Sequence, residues 1–366
     1  MSMSEQVCHF GFGVNADYVK YAGVLMTNLV LLHPGRTLCF HLACDGIDKA
    51  DRDRLDEFTE RYHNARVFIY DVGHELDRLN PIRQDAPERL HRSVLLRVLL
   101  PEYLPQEVKR LVYMDVDVIC CHCLDELFSI DLQDKAVAAV KDTKSVQNAA
   151  ALGLASNKYF FAGMMVIKVA CWRQQRLTAR SVSYYQQHSA RLQFLEQDAL
   201  NAVINGDFVE LDKRYNFLIE VNNPLMCDYP TSTAILHCVN EAKAWTKGCL
   251  PEIHELYWQY VRQSPWQDLQ PSEPTTVKAA FFAATTAELS GDYREARRYY
   301  VLVINSFTEY YQNKTPELLQ AARRECLAAA AAEQKGNNAA AVRYYGLAAR
   351  RFTEQYLRDH PELVSR

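Results

Sequence analysis

The chain has 366 residues, 49% hydrophobic and 23% charged, a globular balance that excludes disordered, collagen-like and coiled-coil classes. Its formal net charge of −4 offers no basic footprint for a phosphate backbone, so nucleic acid is excluded as a partner. Eleven cysteines, an odd number scattered through apolar runs such as TLCFHLAC and AILHC, read as reduced thiols of a cytoplasmic protein rather than a disulfide framework.

The N-terminus, MSMSEQ, lacks the features of a signal peptide. The most apolar run, AGVLMTNLVLL, is short and carries Thr27 and Asn28 in its middle, so no transmembrane segment is expected. From residue 7 to about 262, strand-like runs alternate with amphipathic helical ones, which predicts an α/β domain with a largely parallel sheet. CHFGFGV, TLCFHLAC, ARVFIYD and KRLVYMDVDV are the first strands. ADYVKYAGVLMTNLVLL, DKADRDRLDEFTERYH and PERLHRSVLLRVLLPEYL are the helices between them. AVAAVKD, GMMVIKVA and FVELD continue the strands, and EQDALNAVIN reads as a short buried helix.

Residues 263–274, QSPWQDLQPSEP, hold three prolines without periodicity and predict a linker; everything beyond reads as helix. That tail repeats itself: AELSGDYREARRYYVLVINSF from Ala287 aligns with AEQKGNNAAAVRYYGLAARRF from Ala332, 45 residues on. Each copy turns at a glycine, Gly291 or Gly336, into a helix with a tyrosine pair, Tyr299-Tyr300 or Tyr344-Tyr345. The units resemble tetratricopeptide repeats of lengthened period, and two copies equally fit a helical cap on the preceding domain. The expected organisation is a domain over 1–262, a linker over 263–274 and a helical domain over 275–366, whose aromatic surface points to self-association or a protein partner.

The sharpest local feature is RLVYMDVDVICC. It reads as an apolar strand ending in Asp115-Val116-Asp117, and alternation along it puts both carboxylates on one face, a hard-ligand pair suited to Mn²⁺ or Mg²⁺ bridging a diphosphate. ICCHCLDEL, with Cys120, Cys121, His122 and Cys123, lacks a second cysteine pair at finger-like distance and reads as reduced thiols rather than zinc ligands. No P-loop, nucleophile-elbow or zincin motif occurs.

RLVYMDVDV preceded by SVLLRVLLPEYL is similar to the retaining nucleotide-sugar transferases of glycosyltransferase family 8, and the likeness runs from about residue 10 to 250. It implies a GT-A type, Rossmann-like domain using a UDP-sugar donor with Mn²⁺ or Mg²⁺. It further implies hexose transfer to a glycan or glycolipid acceptor, such as bacterial lipopolysaccharide or lipooligosaccharide, in the cytoplasm at the inner face of the membrane. Within FGVNADYVKY, Gly13, Val14, Asn15 and Tyr18 fall in the nucleotide loop, Asn15 standing where aspartate is usual; Asn15 or Asp17 alternatively caps a helix. Arg97 matches an arginine that reaches donor sugar and phosphate. Asp115, Val116 and Asp117 match the donor motif, and His237 supplies a third metal ligand beside the two aspartates. Ala162 and Gly163 let backbone approach the donor, with Phe161 where asparagine is usual. Asp142 is either near the sugar or a turn aspartate. Asn240 and Lys243 belong to the diphosphate loop, with Asn240 where glycine and Ala244 where proline is usual, ahead of Trp245. Glu196 and Gln197, followed by Asp198, are the catalytic candidates, a carboxylate nucleophile or a group stabilising an oxocarbenium-like state, with helix capping as the alternative. Asn15 and Phe161 keep a second function in view, a nucleotide-sugar- or glycan-binding scaffold working through the repeats.

Overall fold

The computed structural model describes residues 7–79, 92–219, 229–239 and 243–360. Among these, contacts divide the chain into two units. One runs to Leu218 and adds Tyr229–His237 and Tyr260–Asp268; the other holds Ile219, Cys238–Gln259 and the chain from Leu269 on.

The first unit begins with β1 (Cys8–Asn15), α1 (Val19–Leu32), β2 (Leu38–Asp45), α2 (Lys49–Arg61), β3 (Ala65–Asp71) and α3 (Gly73–Arg78). It continues with α4 (Leu96–Tyr103), β4 (Arg110–Met114), β5 (Val118–Cys120), β6 (Val137–Lys141), α5 (Ser145–Leu152) and β7 (Phe160–Lys168). Then come α6 (Val169–Gln174), α7 (Leu177–His188), α8 (Leu195–Ile204), β8 (Val209–Leu211), β9 (Phe217–Leu218) and β10 (Ile235–His237). Seven strands form one sheet in the order β3-β2-β1-β4-β7-β6-β8, with β7 antiparallel to its neighbours β4 and β6. β5, β10 and β9 form a second, small sheet.

From β1 the chain steps outward through β2 and β3, then returns to place β4 on the other side of β1. The strand order therefore reverses between β1 and β4, and the crevice beyond their C-terminal ends is where ligands bind in open α/β sheets. β1 is built for close packing there. Phe10 and Phe12 stack on Phe40, while the alternate residues are glycines. A Cβ at Gly11 would lie 2.7 Å from Leu100 Cδ2, and one at Gly13 would lie 2.8 Å from Leu96 Cβ. Leu96 and Leu100 share one face of α4, so the two glycines let that helix settle onto the strand and bring Arg97 to the crevice.

Two expectations need correction. β4 stops at Met114 and Val116-Asp117 form a turn, so the alternation argument does not carry from Asp115 to Asp117. β7 stops at Lys168, and Val169-Ala170, expected to extend the strand, open α6.

In the second unit α9 (Pro251–Val261) begins before the tail helices α10 (Val277–Leu289), α11 (Tyr293–Tyr311), α12 (Pro316–Gln334) and α13 (Asn338–Asp359). Gly291 and Gly336 take φ of +80° and +71°, the left-handed region that ends a helix at little cost with glycine. Asp292 then caps α11 by accepting from Glu295 N–H, and Asn337 caps α13 by accepting from Ala340 N–H. These caps are again 45 residues apart. α10 packs on α11, α12 on α13 and α11 on α13, around Tyr300, Phe307, Tyr311, Tyr345 and Phe352. Among the described residues no helix is long and apolar enough to cross a membrane.

Candidate active site at the sheet switch point

The turn after β4 is held by its neighbour: Asp115 N–H donates to the Gly163 carbonyl on β7 at 2.8 Å. β5 then pairs antiparallel with β10, with Val118 opposite His237, so the imidazole comes to lie beside Asp117. His237 Nε2 is 3.0 Å from Asp117 Oδ1, and ligand atoms of Asp115, Asp117 and His237 all lie within 4.8 Å of one another. The other ring nitrogen donates to Asn216 Oδ1 at 2.8 Å. With Nδ1 carrying the proton, Nε2 turns a lone pair toward two carboxylates. An all-acceptor set of one imidazole and two aspartates suits a divalent cation.

Gly163 makes this convergence possible. A Cβ there would lie 2.5 Å from His237 Cε1 and 2.7 Å from both Asp115 Oδ2 and Phe161 Cε1. Phe161, where a polar residue was looked for, sets its ring edge-to-face against His237 at 5.1 Å and so props the imidazole.

Arg97 is buried between the metal-type cluster and α8. Its Nη2 is 2.9 Å from Asp115 Oδ1 and its Nε 3.3 Å from Glu196 Oε1, with Tyr113 under the guanidinium at 5.5 Å. The Tyr113 hydroxyl in turn points at Asp115 Oδ1, 3.4 Å away. Burial pushes the Glu196 carboxyl up to about 7, against the pull of Arg97 toward the ionised form. Burial also works against the Arg97 charge, but Asp115 and its neighbours more than offset it.

The next residues of α8 serve the backbone. Gln197 Oε1 accepts from Ala162 N–H at 2.9 Å and its Nε2 donates to the Tyr159 hydroxyl at 3.1 Å. One turn on, Asn201 accepts from Phe160 N–H and donates to Phe160 O, at 2.8 and 2.9 Å. Asp198 accepts from the Tyr159 hydroxyl at 2.6 Å and from Gln193 and Phe194 N–H at 2.7 and 2.8 Å. The capping alternative thus falls to Asp198, while Gln197 and Asn201 satisfy the free edge of β7 just before Gly163.

The remaining candidates are spread differently. Asn15 ends β1 with a buried Oδ1 that has no hydrogen-bond partner among the described residues, and neither it nor Asp17 makes a side-chain cap, which corrects the capping alternative. Tyr18 is exposed, edge-on to Tyr21. Val14 and Val116 are buried, so they offer a ligand their backbone only. Asp142 accepts from Lys144 N–H at 2.8 Å, as a turn aspartate does. Lys243, in the second unit, donates to Cys238 O at 3.0 Å, and Ala244 and Trp245 are buried there. Asn240 lies outside the described residues. Cys120 is buried, and His122 Nε2 donates to Thr231 O. The ten cysteines among the described residues are free thiols. Asn216 is a site residue that lies in no motif, while Tyr113, Tyr159 and Asn201 lie within motifs but had been given no role of their own.

Comparison with known proteins identifies the family and the fold. The profile of glycosyl transferase family 8 matches residues 9–249. The chain is 21% identical over 322 residues to lipopolysaccharide 1,3-galactosyltransferase of Salmonella typhimurium, covering 84% of this chain and 92% of that one. It is 22% identical over 286 residues to lipopolysaccharide 1,2-glucosyltransferase of Escherichia coli K12, covering 75% and 83%. The structure of the galactosyltransferase LgtC with donor and acceptor sugar analogues matches with a TM-score of 0.57 at 23% identity, over 69% of this chain and 95% of that one. An active-site mutant of LgtC gives 0.60 at 21% identity, over 70% and 96%. The fold is of the GT-A type, followed by an all-helical C-terminal region, and the chain belongs to glycosyl transferase family 8.

Proposed function

We propose that this protein is a metal-dependent, retaining transferase that moves a hexose from a UDP-sugar to a glycan acceptor, a lipopolysaccharide, lipooligosaccharide or other cell-surface glycan, in the cytoplasm at the inner face of the membrane. The observation that carries this reading is the convergence of Asp115, Asp117 and His237 at the strand-order reversal. Their oxygen and imidazole donors fit Mn²⁺ or Mg²⁺, whose charge would serve the donor's diphosphate oxygens. The Salmonella typhimurium and Escherichia coli relatives are a lipopolysaccharide galactosyltransferase and a lipopolysaccharide glucosyltransferase, which supports the hexose and the acceptor class.

The chain's own residues divide the remaining work. Asn15 turns an unsatisfied carboxamide oxygen to the end of β1, where a nucleotide N–H or hydroxyl can donate to it. Arg97 ties Asp115 to Glu196 and fixes the distance between the metal-type cluster and that buried carboxyl. Ionised Glu196 is suited to stabilise positive character at an anomeric carbon, and Gln197 positions β7 beneath it.

A panel of UDP-sugars with and without Mn²⁺ tests the proposal through UDP release. Release from one hexose donor that stops on chelation is the expected result. Binding of UDP-sugars without turnover of any, with a glycan acceptor present, would favour the scaffold.

A further inference from the structure

The two copies of the helical hairpin can be read against each other. In the first copy, Arg298 and Tyr299 near the start of α11 hold a carboxylate: the Tyr299 hydroxyl donates to Glu273 Oε2 at 2.7 Å, and the Arg298 guanidinium pairs with the same oxygen. Lys247 reaches the other oxygen at 2.6 Å. Glu273 belongs to the stretch Gln270–Thr276, QPSEPTT, which precedes α10. Tyr299, tied to that stretch, is 3% exposed.

Forty-five residues on, the same pair is Arg343-Tyr344. The surroundings correspond: Asp292 and Asn337 cap the two helices, Tyr300 and Tyr345 are both buried, and Leu302 and Leu347 are 48% and 46% exposed. The two helices therefore turn the same side chains outward. Yet Tyr344 is 39% exposed, and among the described residues neither Arg343 nor Tyr344 has a hydrogen bond or ion pair. The acid one turn before Arg298, Glu295 at 3.3 Å, has become Ala340, so α13 brings no carboxylate of its own to Arg343. Where the first copy has Asn305, the second has Arg350, exposed and two turns beyond Arg343. The second copy thus keeps two of the three groups that hold Glu273, the arginine and the tyrosine, gains positive charge and lacks the acid.

We propose that Arg343 and Tyr344 form a docking site for a carboxylate on an extended acidic segment of a partner protein, held as Glu273 is held by Arg298 and Tyr299. The occupant follows from the first copy and from the charge. A guanidinium beside a phenol hydroxyl gives a carboxylate two charge-assisted donors, and an extended peptide with proline on either side of the acid is what the first copy already holds. A second copy of this chain is a poorer occupant, because its Glu273 is committed to its own Arg298, Tyr299 and Lys247.

The probe is a fluorescent peptide of residues 269–276, LQPSEPTT, titrated into the full chain and followed by polarisation. Saturable binding is expected, weakened about tenfold or more by Glu→Gln in the peptide and equally by Arg343→Ala or Tyr344→Phe in the protein. Both protein positions are exposed, and unchanged thermal melting verifies that the variants fold. No saturable binding up to millimolar peptide overturns the proposal. So does binding that survives Arg343→Ala but is lost in Arg298→Ala, because the peptide would then be exchanging with the chain's own segment. Equal binding of the Glu→Gln peptide removes the carboxylate as the recognised group.

Discussion

Replacing Gly163 by alanine adds one methyl group at the point where three fixed side chains meet. The backbone of Gly163 is outside the left-handed region, so the penalty is one of space alone. The new Cβ would stand 2.5 Å from His237 Cε1, whereas carbon atoms settle at about 3.5–4.0 Å, so something must move by about 1 Å. None of the neighbours is free to move. His237 is buried and bonded to Asn216, Asp115 is tied to Arg97 and to the Gly163 carbonyl itself, and Phe161 lies against the imidazole. Overpacking of this kind costs about 1–3 kcal/mol of stability. Displacement of a ligand set by about 1 Å should weaken Mn²⁺ binding by about 10–100-fold, as disturbed support of metal ligands does. Calorimetric titration of Mn²⁺ together with a thermal melt measures both. A Gly163→Ala protein that melts and binds Mn²⁺ like the wild type would refute the reasoning that the cluster is a close-packed cation site.

Asn216→Ala removes the acceptor that holds the His237 proton on Nδ1, so Mn²⁺ affinity should fall about 10–100-fold and recover in Asn216→Asp, measured by the same titration; no rescue by Asp would remove the tautomer argument. Glu196→Gln should keep UDP-sugar binding and lose about 10²-fold in kcat, whereas weakened binding at full turnover would make Glu196 a positioning residue. With Glu196 at about 7, kcat/KM of the wild type should rise with pH through that value as the carboxylate forms, and Glu196→Gln should lack the step. Burial pushes His41, hydrogen-bonded to His9 and Tyr70, down to about 3, so the unfolded chain takes up a proton that the folded one refuses. Its stabilising contribution is whole above about 6.5 and lost as pH falls toward 3, about 2 kcal/mol at pH 5; melting curves of His41→Asn with an equally steep acid limb would contradict this.

The alternation of strand and helix was legible because each element announces itself locally, as in the Phe10 and Phe12 alternation of β1 and the Gly291 and Gly336 turns of the tail. The helical repeat could be read for the same reason, since caps, glycines and tyrosine pairs all lie within one hairpin. Asp115 and Asp117 were found by motif, but a spacing of two looks the same in a strand and in a turn; Asp115 N–H still pairs with Gly163 in the register of β4 and β7, and only the turn at Val116-Asp117 ahead of β5 decides between them. Gln197 and Asn201 are one helical turn apart, so their common face was readable; that it meets the open edge of β7 was not, because β7 lies some 35 to 40 residues earlier in the chain. Asn216 reaches His237 through the pairing of β9 with β10, a long-range contact that carries no local signature. Phe161 looked like a gap in the pattern and is a support for the imidazole instead.

The central claim is that Asp115, Asp117 and His237 act together as a cation site through which a nucleotide diphosphate binds. Titrating UDP into the wild-type chain and into Asp117→Ala, each with Mn²⁺ and with chelator, tests it most directly. UDP should bind the wild type only when Mn²⁺ is present and should fail to bind Asp117→Ala in either condition while that variant melts as a folded protein. Equal UDP affinity in the two proteins with Mn²⁺ would contradict the claim.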